Sequence, residues 1–215
     1  MEEDMKAVIF DLDGVLVHTD KYHYLAWKML ADRLGIYFDE KINDRLRGVS
    51  RMESLEIILE KYRGKPLSEA QKTELADEKN KVYRALLKGM TPADVSEEVR
   101  RTLEVLKYRG YQMAIGSSSK NARYIVEQTG LDKEFDAVAD GTNISRSKPD
   151  PEVFLKAAEF ISQVPEECLV VEDAKAGILA AKKGGFKSAG LGEAKNYELT
   201  DYPLESIGDL LKLLV

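Results

Sequence analysis

Short apolar runs alternate with longer helical patterns along most of the chain. Five of these runs span only three to five residues, which is long enough for a buried strand and too short for a helix. Such alternation predicts an α/β fold with a doubly wound parallel sheet. The predicted strands are Ala7–Phe10, Gln112–Gly116, Ala137–Ala139, Leu169–Val171 and Lys187–Leu191. The helical patterns between them lie at about Ser96–Tyr108, Asn121–Thr129, Pro151–Ile161 and Lys175–Lys183.

The section that follows the first predicted strand has a different pattern and shows no convincing strand. Three long helical patterns fill it, beginning near Asp20, Ser50 and Ser68. The second opens with the serine-to-glutamate spacing of a capping box. Because both ends of this section connect to the same αβ body, we expect an inserted α-helical cap domain. The predicted domains are residues 1–15 with 89–215 for the core and residues 16–88 for the cap.

Composition and charge narrow the class of partner. The 215 residues are 44% hydrophobic and 33% charged, and the net charge is -6. This acidic balance argues against a nucleic acid or an anionic membrane surface as a partner. Cys168 is the one cysteine, so no internal disulfide is possible, and it is most simply a small buried apolar residue. No signal peptide or membrane span is apparent, and we expect a cytoplasmic monomer.

Polar side chains follow four of the predicted strands. In an open parallel sheet, ligands bind outside the carboxyl ends of the strands. Parallel strands bring these ends to one edge, so we expect the side chains that follow them to converge there. The residues concerned are Asp11 and Asp13 after the first strand, Ser117 to Lys120 after the second, Lys148 beyond the third, and Glu172 with Asp173 after the fourth.

The residue types at these positions together suit phosphoryl transfer through an acyl-phosphate. The acidic side chains offer oxygen ligands of the kind that Mg²⁺ prefers. The segment "SSSKN" offers hydroxyl and N–H groups to a phosphate, and Lys148 adds a compact positive charge. We therefore predict Asp11 as the nucleophile and Asp13 as the group that handles the proton. Gly14 is expected to permit the backbone turn that follows them.

These residues resemble the haloacid dehalogenase superfamily of aspartyl-phosphate enzymes. The match lies in "DLDG", the hydroxyl motif around Ser117, "KPDP" from Lys148 and "ED" at 172–173, in an order that spans the chain. Within the superfamily the chain resembles the β-phosphoglucomutases, through segments of both core and cap such as "YHYLAWK", "RLRGVSRMESL", "SSSKNA" and "VVEDAKAGI". The resemblance implies a Rossmann-like core with an inserted helical cap.

The resemblance also implies a reaction and a cofactor. The reaction is the interconversion of β-glucose 1-phosphate and glucose 6-phosphate through a 1,6-bisphosphate, with a sugar phosphate as substrate. Asp11 would be the nucleophile and Asp13 the acid/base, while Ser117 and Lys148 would bind the transferring phosphoryl group. The cofactor would be Mg²⁺. Its implied ligands are the Asp11 side chain, the Asp13 backbone carbonyl, Glu172 and Asp173.

Further residues match positions that contact substrate in this family. Near the second phosphate these are Ser118, Ser119, Lys120 and Asn121. From the cap, the positions that shape the sugar site or control Asp13 are Thr19, His23, Gly48, Val49, Ser50, Arg51, Lys79 and Asn80, with Thr19 and His23 counted as catalytic. One departure is visible: where the family commonly has lysine before "GVSR", this chain has Arg47, a planar fork instead of a point charge.

Simpler interpretations exist for several of these residues and for the function. Ser117 could be only a helix cap, His23 a satisfied core histidine, and Asp173 a charge that complements a helix dipole. The core motifs equally suit a phosphatase that hydrolyses a small sugar phosphate or another monoester. A third hypothesis is a non-catalytic sugar-phosphate sensor, although a sensor needs neither Asp11 nor Asp13.

Overall fold

A computed structural model describes residues 5–46 and 49–215 of the chain. The chain divides into two compact units. One consists of Met1–His18 and Met90–Val215, and the other of Thr19–Gly89. The predicted substrate residue Gly48 and its neighbour Arg47 lie outside the described residues. The role of the second unit as a cap stays a prediction.

The first unit is built around a parallel sheet of six strands, which confirms the predicted α/β fold. The strand order is β3-β2-β1-β4-β5-β6, and every neighbouring pair is parallel. All five predicted strands are present within one residue at their ends, and the sixth is a two-residue edge strand that was not predicted from the sequence. The strands are β1 Ala7–Phe10, β2 Gln112–Gly116, β3 Ala137–Ala139, β4 Cys168–Glu172, β5 Lys187–Gly190 and β6 Tyr202–Pro203.

Strand β1 lies at the centre of the sheet and fixes where the other strands end. Its four residues are all fully buried, as expected for an uninterrupted apolar run with both faces covered. Phe10 at its carboxyl end is in register with Ile115 of β2 and with Val171 of β4. The loops that leave these three strands therefore begin side by side.

The second unit is helical throughout its described part. Its helices are α1 Asp20–Arg33, α2 Glu40–Asp44, α3 Arg51–Leu59 and α4 Glu69–Leu87. The predicted capping box at the start of α3 is confirmed, with Ser50 and Glu53 exchanging both hydrogen bonds, and Ser68 caps α4 in the same way. Trp27, Leu30 and further apolar residues from all four helices and their connections form one core. The short helix α2 was not predicted from the pattern.

Five α-helices accompany the sheet in the described part of the first unit. They are α5 Glu97–Tyr108, α6 Ala122–Gln128, α7 Glu152–Phe160, α8 Lys175–Lys183 and α9 Leu210–Leu213. Helices α7 and α8 pack on the sheet face that carries Ile9, Ala114 and Val170. Cys168 is fully buried on this face, as predicted for a small apolar residue. Among the helices of the described residues, none combines the length and apolar character that crossing a bilayer requires.

Helix α5 offers a direct test of the predicted amphipathic pattern. Leu103 is fully buried, whereas its neighbour Glu104 is exposed. Truncating a buried leucine removes apolar contacts and leaves a cavity, so Leu103→Ala is expected to lower the free energy of unfolding by about 2–5 kcal/mol. The matched variant Glu104→Ala is expected to change it by about 0.5 kcal/mol or less. Urea unfolding measures both, and equal losses would contradict the assigned burial.

Candidate active site

The loop after β1 continues the strand by one residue and then turns sharply. The backbone N–H of Asp11 donates to the carbonyl of Val171 at 2.9 Å, so Asp11 stays in line with the sheet. Gly14 follows with φ +84°, a left-handed conformation that favours glycine, and its N–H donates to the carbonyl of Val17 at 2.7 Å. A Cβ at Gly14 would lie 2.0 Å from Asp173 Oδ2. Glycine therefore permits both the predicted turn and the close approach of Asp173.

Lys148 joins two of the predicted acidic residues in a buried ion cluster. Its Nζ lies 2.5 Å from Asp11 Oδ1 and 2.6 Å from Glu172 Oε1. Lys148 is 6% exposed, Asp11 7% and Glu172 1%. The second oxygen of Glu172 accepts the backbone N–H of Ala174 at 2.8 Å. Three charged groups from three separate chain segments thus meet where the strands end.

Burial and mutual charge set the protonation of this cluster. Burial disfavours the charged form of Lys148, but Asp11 and Glu172 outweigh it and raise the pKa of Lys148 above its ordinary value. Burial also raises the pKa of Glu172, and the attraction of Lys148 opposes that rise. The lysine is therefore held as a cation between the two carboxyl groups.

The carboxylates of Asp11, Glu172 and Asp173 form a candidate metal site. One oxygen from each lies within 4.8 Å of the others. Burial, followed by the charges of Glu172, Asp11 and Asp13, raises the pKa of Asp173 to about 8. Negative charge thus accumulates where a divalent cation would relieve it. A set of three carboxylates is the hard oxygen chemistry that Mg²⁺ takes, so these residues fit the predicted cofactor.

Glycines line this acidic group on two sides. Besides Gly14, Gly177 lies so close to Glu172 that a Cβ there would be 2.0 Å from the carboxyl carbon. Asp13 is half-buried and forms an isolated bridge with Val17 in the turn. The backbone is therefore packed directly against the carboxylates, which leaves no room for added side chains.

The segment after β2 is organised by its own hydroxyl groups. Ser117 Oγ accepts the N–H of Ser119, and Ser119 Oγ accepts the N–H of Asn121, both at 3.2 Å. Ser118 Oγ accepts the N–H of Lys148 at 3.3 Å, which ties this segment to the lysine loop. The alternative that Ser117 caps the following helix is wrong, because α6 begins at Ala122 with Asn121 at its cap position.

The predicted residues of this segment differ in exposure. Ser117 and Asn121 are buried, Ser118 and Ser119 are partly exposed, and Lys120 is exposed. The segment also contacts the loop after β3, where the backbone N–H of Gly141 donates to the carbonyl of Ser119 at 3.2 Å.

The second unit contains a separate cluster of predicted residues. Lys79 Nζ and His23 Nδ1 lie 2.9 Å apart, and the ring of His23 stacks on that of Tyr83 at 4.0 Å. Lys79 Nζ also lies 4.5 Å from the centroid of the Trp27 ring. Tyr83 in turn donates its hydroxyl proton to Thr19 Oγ1 at 3.0 Å. Tyr83 was not among the predicted residues, although its position one helical turn after Lys79 on α4 places it on the same helix face.

The histidine of this cluster is held neutral. Burial, and then the positive charges of Lys79 and Arg51, lower the pKa of His23 well below its ordinary value. A neutral imidazole can accept a hydrogen bond at Nδ1 from the ammonium of Lys79. His23 is therefore a half-buried residue that is hydrogen-bonded within this unit.

Arg51 joins the start of α3 to helix α4. Its Nη2 donates to Asn80 Oδ1 at 3.0 Å, and its Nη1 lies 3.6 Å from Asp77 Oδ1. Burial lowers its pKa, and the charge of Asp77 opposes this. Ser50 immediately before it is the helix cap, and Val49 is half-buried. The structure thus places the side chain of Asn80 in contact with the guanidinium of Arg51.

Comparison with known proteins adds independent findings. The model of the haloacid dehalogenase-like hydrolase family matches residues 5–185. The chain is similar to the β-phosphoglucomutase of Bacillus subtilis (strain 168), at 41% identity over 98% of this chain and 94% of the relative. It is also similar to the phosphorylated carbohydrates phosphatase of Thermotoga maritima, at 34% identity over 85% of this chain and 83% of the relative.

A solved structure is similar over nearly the same length. The crystal structure of a β-phosphoglucomutase from Clostridium difficile matches with a TM-score of 0.88 and 37% sequence identity, covering 96% of this chain and 93% of that one. Both units of the chain therefore fall within the matched region.

The buried ion cluster predicts a strong dependence of stability on its lysine. Lys148→Met leaves Asp11 and Glu172 facing each other without a cation. We expect it to lower the free energy of unfolding by about 3–5 kcal/mol at neutral pH in the presence of a chelator. The two facing carboxyl groups then have raised pKa values in the folded state of the variant. The folded variant therefore binds protons more readily than the unfolded variant does. The loss should therefore shrink as the pH falls toward about 5.

The matched control for this variant is Lys156→Met on α7. Lys156 pairs with Glu159 at 2.6 Å on the surface, where an ion pair contributes little. Urea unfolding at two pH values measures both variants. A Lys148 variant that unfolds like the Lys156 control at both pH values would show that the cluster does not stabilise the fold as described.

Proposed function

Since this chain belongs to the haloacid dehalogenase-like hydrolase family, we propose that it is a phosphomutase that interconverts β-D-glucose 1-phosphate and glucose 6-phosphate. The observation that carries this choice of reaction is the similarity to β-phosphoglucomutases over nearly the whole chain, both units included. The buried cluster of Asp11, Lys148 and Glu172 supports the phosphoryl chemistry.

The proposed cycle passes a phosphoryl group from Asp11 to the sugar and a second one from the sugar back to Asp11. It begins with Asp11 as an aspartyl phosphate. The C6 hydroxyl of β-glucose 1-phosphate attacks phosphorus, its proton passes to the Asp13 carboxylate, and the bond from phosphorus to the Asp11 oxygen breaks. The bisphosphate then presents its C1 phosphate to Asp11. The carboxylate attacks this phosphorus, the bond from phosphorus to the C1 oxygen breaks as Asp13 returns the proton to that oxygen, and glucose 6-phosphate leaves with Asp11 phosphorylated again.

The residues around Asp11 would prepare it for this attack. The ammonium of Lys148, at 2.5 Å, donates to the carboxylate and fixes the direction of one oxygen. Ser117, buried beside the strand end, would donate its hydroxyl proton to the transferring group. Mg²⁺, when held by the carboxylates of Asp11, Glu172 and Asp173 and the Asp13 carbonyl, would neutralise charge on the phosphoryl oxygens.

Residues beyond this cluster would bind the rest of the substrate. We propose Ser118, Ser119, Lys120 and Asn121 near the second phosphate. From the second unit we propose Arg51 and Asn80, which share a hydrogen bond at 3.0 Å, as contacts of the substrate. Val49 and Ser50 belong to the same group of proposed contacts. Thr19, His23 and Lys79 belong to the cluster that we propose controls Asp13.

The monomeric state of the protein stays a prediction.

A phosphatase is the second candidate. The similarity to the Thermotoga maritima phosphorylated carbohydrates phosphatase favours it. Both reactions phosphorylate Asp11, and they differ in whether a sugar hydroxyl or water attacks next. The product ratio therefore separates them, whereas the residues around Asp11 do not.

The deciding experiment supplies β-glucose 1-phosphate, Mg²⁺ and a trace of β-glucose 1,6-bisphosphate. Glucose 6-phosphate and free phosphate are followed together. The proposal expects glucose 6-phosphate as the main product, with little free phosphate. Free phosphate in excess of glucose 6-phosphate would contradict the mutase hypothesis and support the phosphatase hypothesis. No turnover by folded protein would favour the hypothesis of a sugar-phosphate sensor.

Asp13 is expected to contribute through proton transfer alone. Asp13→Ala should lower kcat by about 10²–10⁴, which is the usual contribution of a general acid or base. Asp132→Ala, at an exposed position of the same unit, is the control and should keep full activity. Steady-state kinetics measures both. A decrease below about tenfold for Asp13→Ala would remove the acid/base role from this residue.

Arg51 is expected to act on binding. Arg51→Ala removes a guanidinium proposed to contact the substrate, so KM for the sugar phosphate should rise about tenfold or more while phosphorylation of Asp11 continues. Arg63→Ala, at an exposed position of the second unit, is the control with unchanged KM. If the two variants share the wild-type KM, Arg51 does not contact the substrate.

A further inference from the structure

The ring of Phe154 lies against the catalytic lysine. Lys148 Nζ is 4.5 Å from the centroid of this ring, well inside the distance of about 6 Å at which an ammonium is attracted to an aromatic face. Phe154 is fully buried in the first turn of α7, six residues after Lys148. The contact is therefore desolvated, the condition in which cation–π attraction is strongest.

The ring complements the two carboxylates that hold the lysine. An ammonium can donate three hydrogen bonds. Two of those from Lys148 Nζ go to Asp11 Oδ1 at 2.5 Å and to Glu172 Oε1 at 2.6 Å. Two contacts alone allow the Lys148 ammonium to shift about the line that joins them. The face of Phe154 supplies a third contact, which defines where Nζ stands relative to Asp11 Oδ1.

The neighbouring strand leaves the space that this ring occupies. Gly116 ends β2, and a Cβ there would lie 2.6 Å from Phe154 Cδ1 and 3.2 Å from Ile9 Cγ2. On another side, the ring of Phe186 meets Phe154 edge-on, with centroids 6.2 Å apart. Packing on both sides therefore restricts the ring, and the ring in turn restricts the lysine.

From this geometry we propose that Phe154 is a positioning residue for phosphoryl transfer, whose ring face holds Lys148 Nζ against Asp11. The inference rests on the proposed function, in which Asp11 is the nucleophile. Phe154 acts through the lysine, so its electronic character should matter as well as its volume.

Fluorinated phenylalanines separate the electronic role from packing. Fluorine withdraws charge from the ring face while changing its size little, so a ring that only fills space should tolerate the series. Nonsense suppression can place 4-fluoro-, 3,4-difluoro- and 3,4,5-trifluorophenylalanine at Phe154. We expect kcat to fall stepwise with each fluorine, by about tenfold in total, with little change in KM for the sugar phosphate.

Phe186 provides the matched control series. It is buried in the same core and packs on Phe154, but the cation–π contact of Lys148 is with Phe154. The same three substitutions at Phe186 are expected to leave kcat unchanged within about twofold. A flat series at Phe154, or equal decreases at both positions, would overturn the proposal.

A second measurement tests the contact without activity. Selectively labelled lysine lets NMR detect the ε-methylene protons of Lys148, which the ring current of Phe154 should shift upfield. Phe154→Leu should abolish that shift, and its absence in the unmodified chain would overturn the proposal. If the unmodified chain transfers no phosphoryl group, the proposed function fails, while the ring-current shift still decides the contact.

Discussion

The structure depends on burying one ammonium between two carboxylates at the end of its central strand. Lys148, Asp11 and Glu172 are each costly to remove from water alone, and only their close pairing makes this burial tolerable. The partners are far apart in the sequence, by 137 residues for Asp11 and 24 for Glu172. The cluster therefore forms only when β1 and β4 are paired in register and the lysine loop is in place.

The same constraint links the fold to the chemistry. The carboxylate of Asp11 is hydrogen-bonded to a buried cation while its backbone is still bonded to the neighbouring strand, which is the fixed orientation that the proposed nucleophile needs. Asp173 adds a third carboxyl group beside Asp11 and Glu172. Burial and the neighbouring carboxylates raise the pKa of Asp173 to about 8, so a divalent cation bound here would relieve their mutual repulsion. Glycines at 14 and 177 let the backbone approach these groups, so local sequence and site geometry agree.

Two kinds of feature could be predicted from the sequence: the elements that follow from hydrophobic periodicity, and the site residues that follow the ends of strands. The five main strands, the helices between them and the convergence of Asp11, Lys148 and Glu172 followed from apolar runs and the geometry of a parallel sheet. The edge strand Tyr202–Pro203 is too short to leave a pattern. The contact of Phe154 with Lys148 depends on how α7 packs, which no local pattern records.

The central claim is that the side chain of Asp11 becomes phosphorylated, and borohydride trapping tests it most directly. Borohydride reduces an acyl-phosphate of aspartate to homoserine, which peptide mass spectrometry locates. After reaction with β-glucose 1,6-bisphosphate and rapid quenching, the account predicts homoserine in place of aspartate at Asp11, and none without the sugar bisphosphate. Unmodified Asp11, or homoserine at a different aspartate, from protein that turns over its substrate would contradict it.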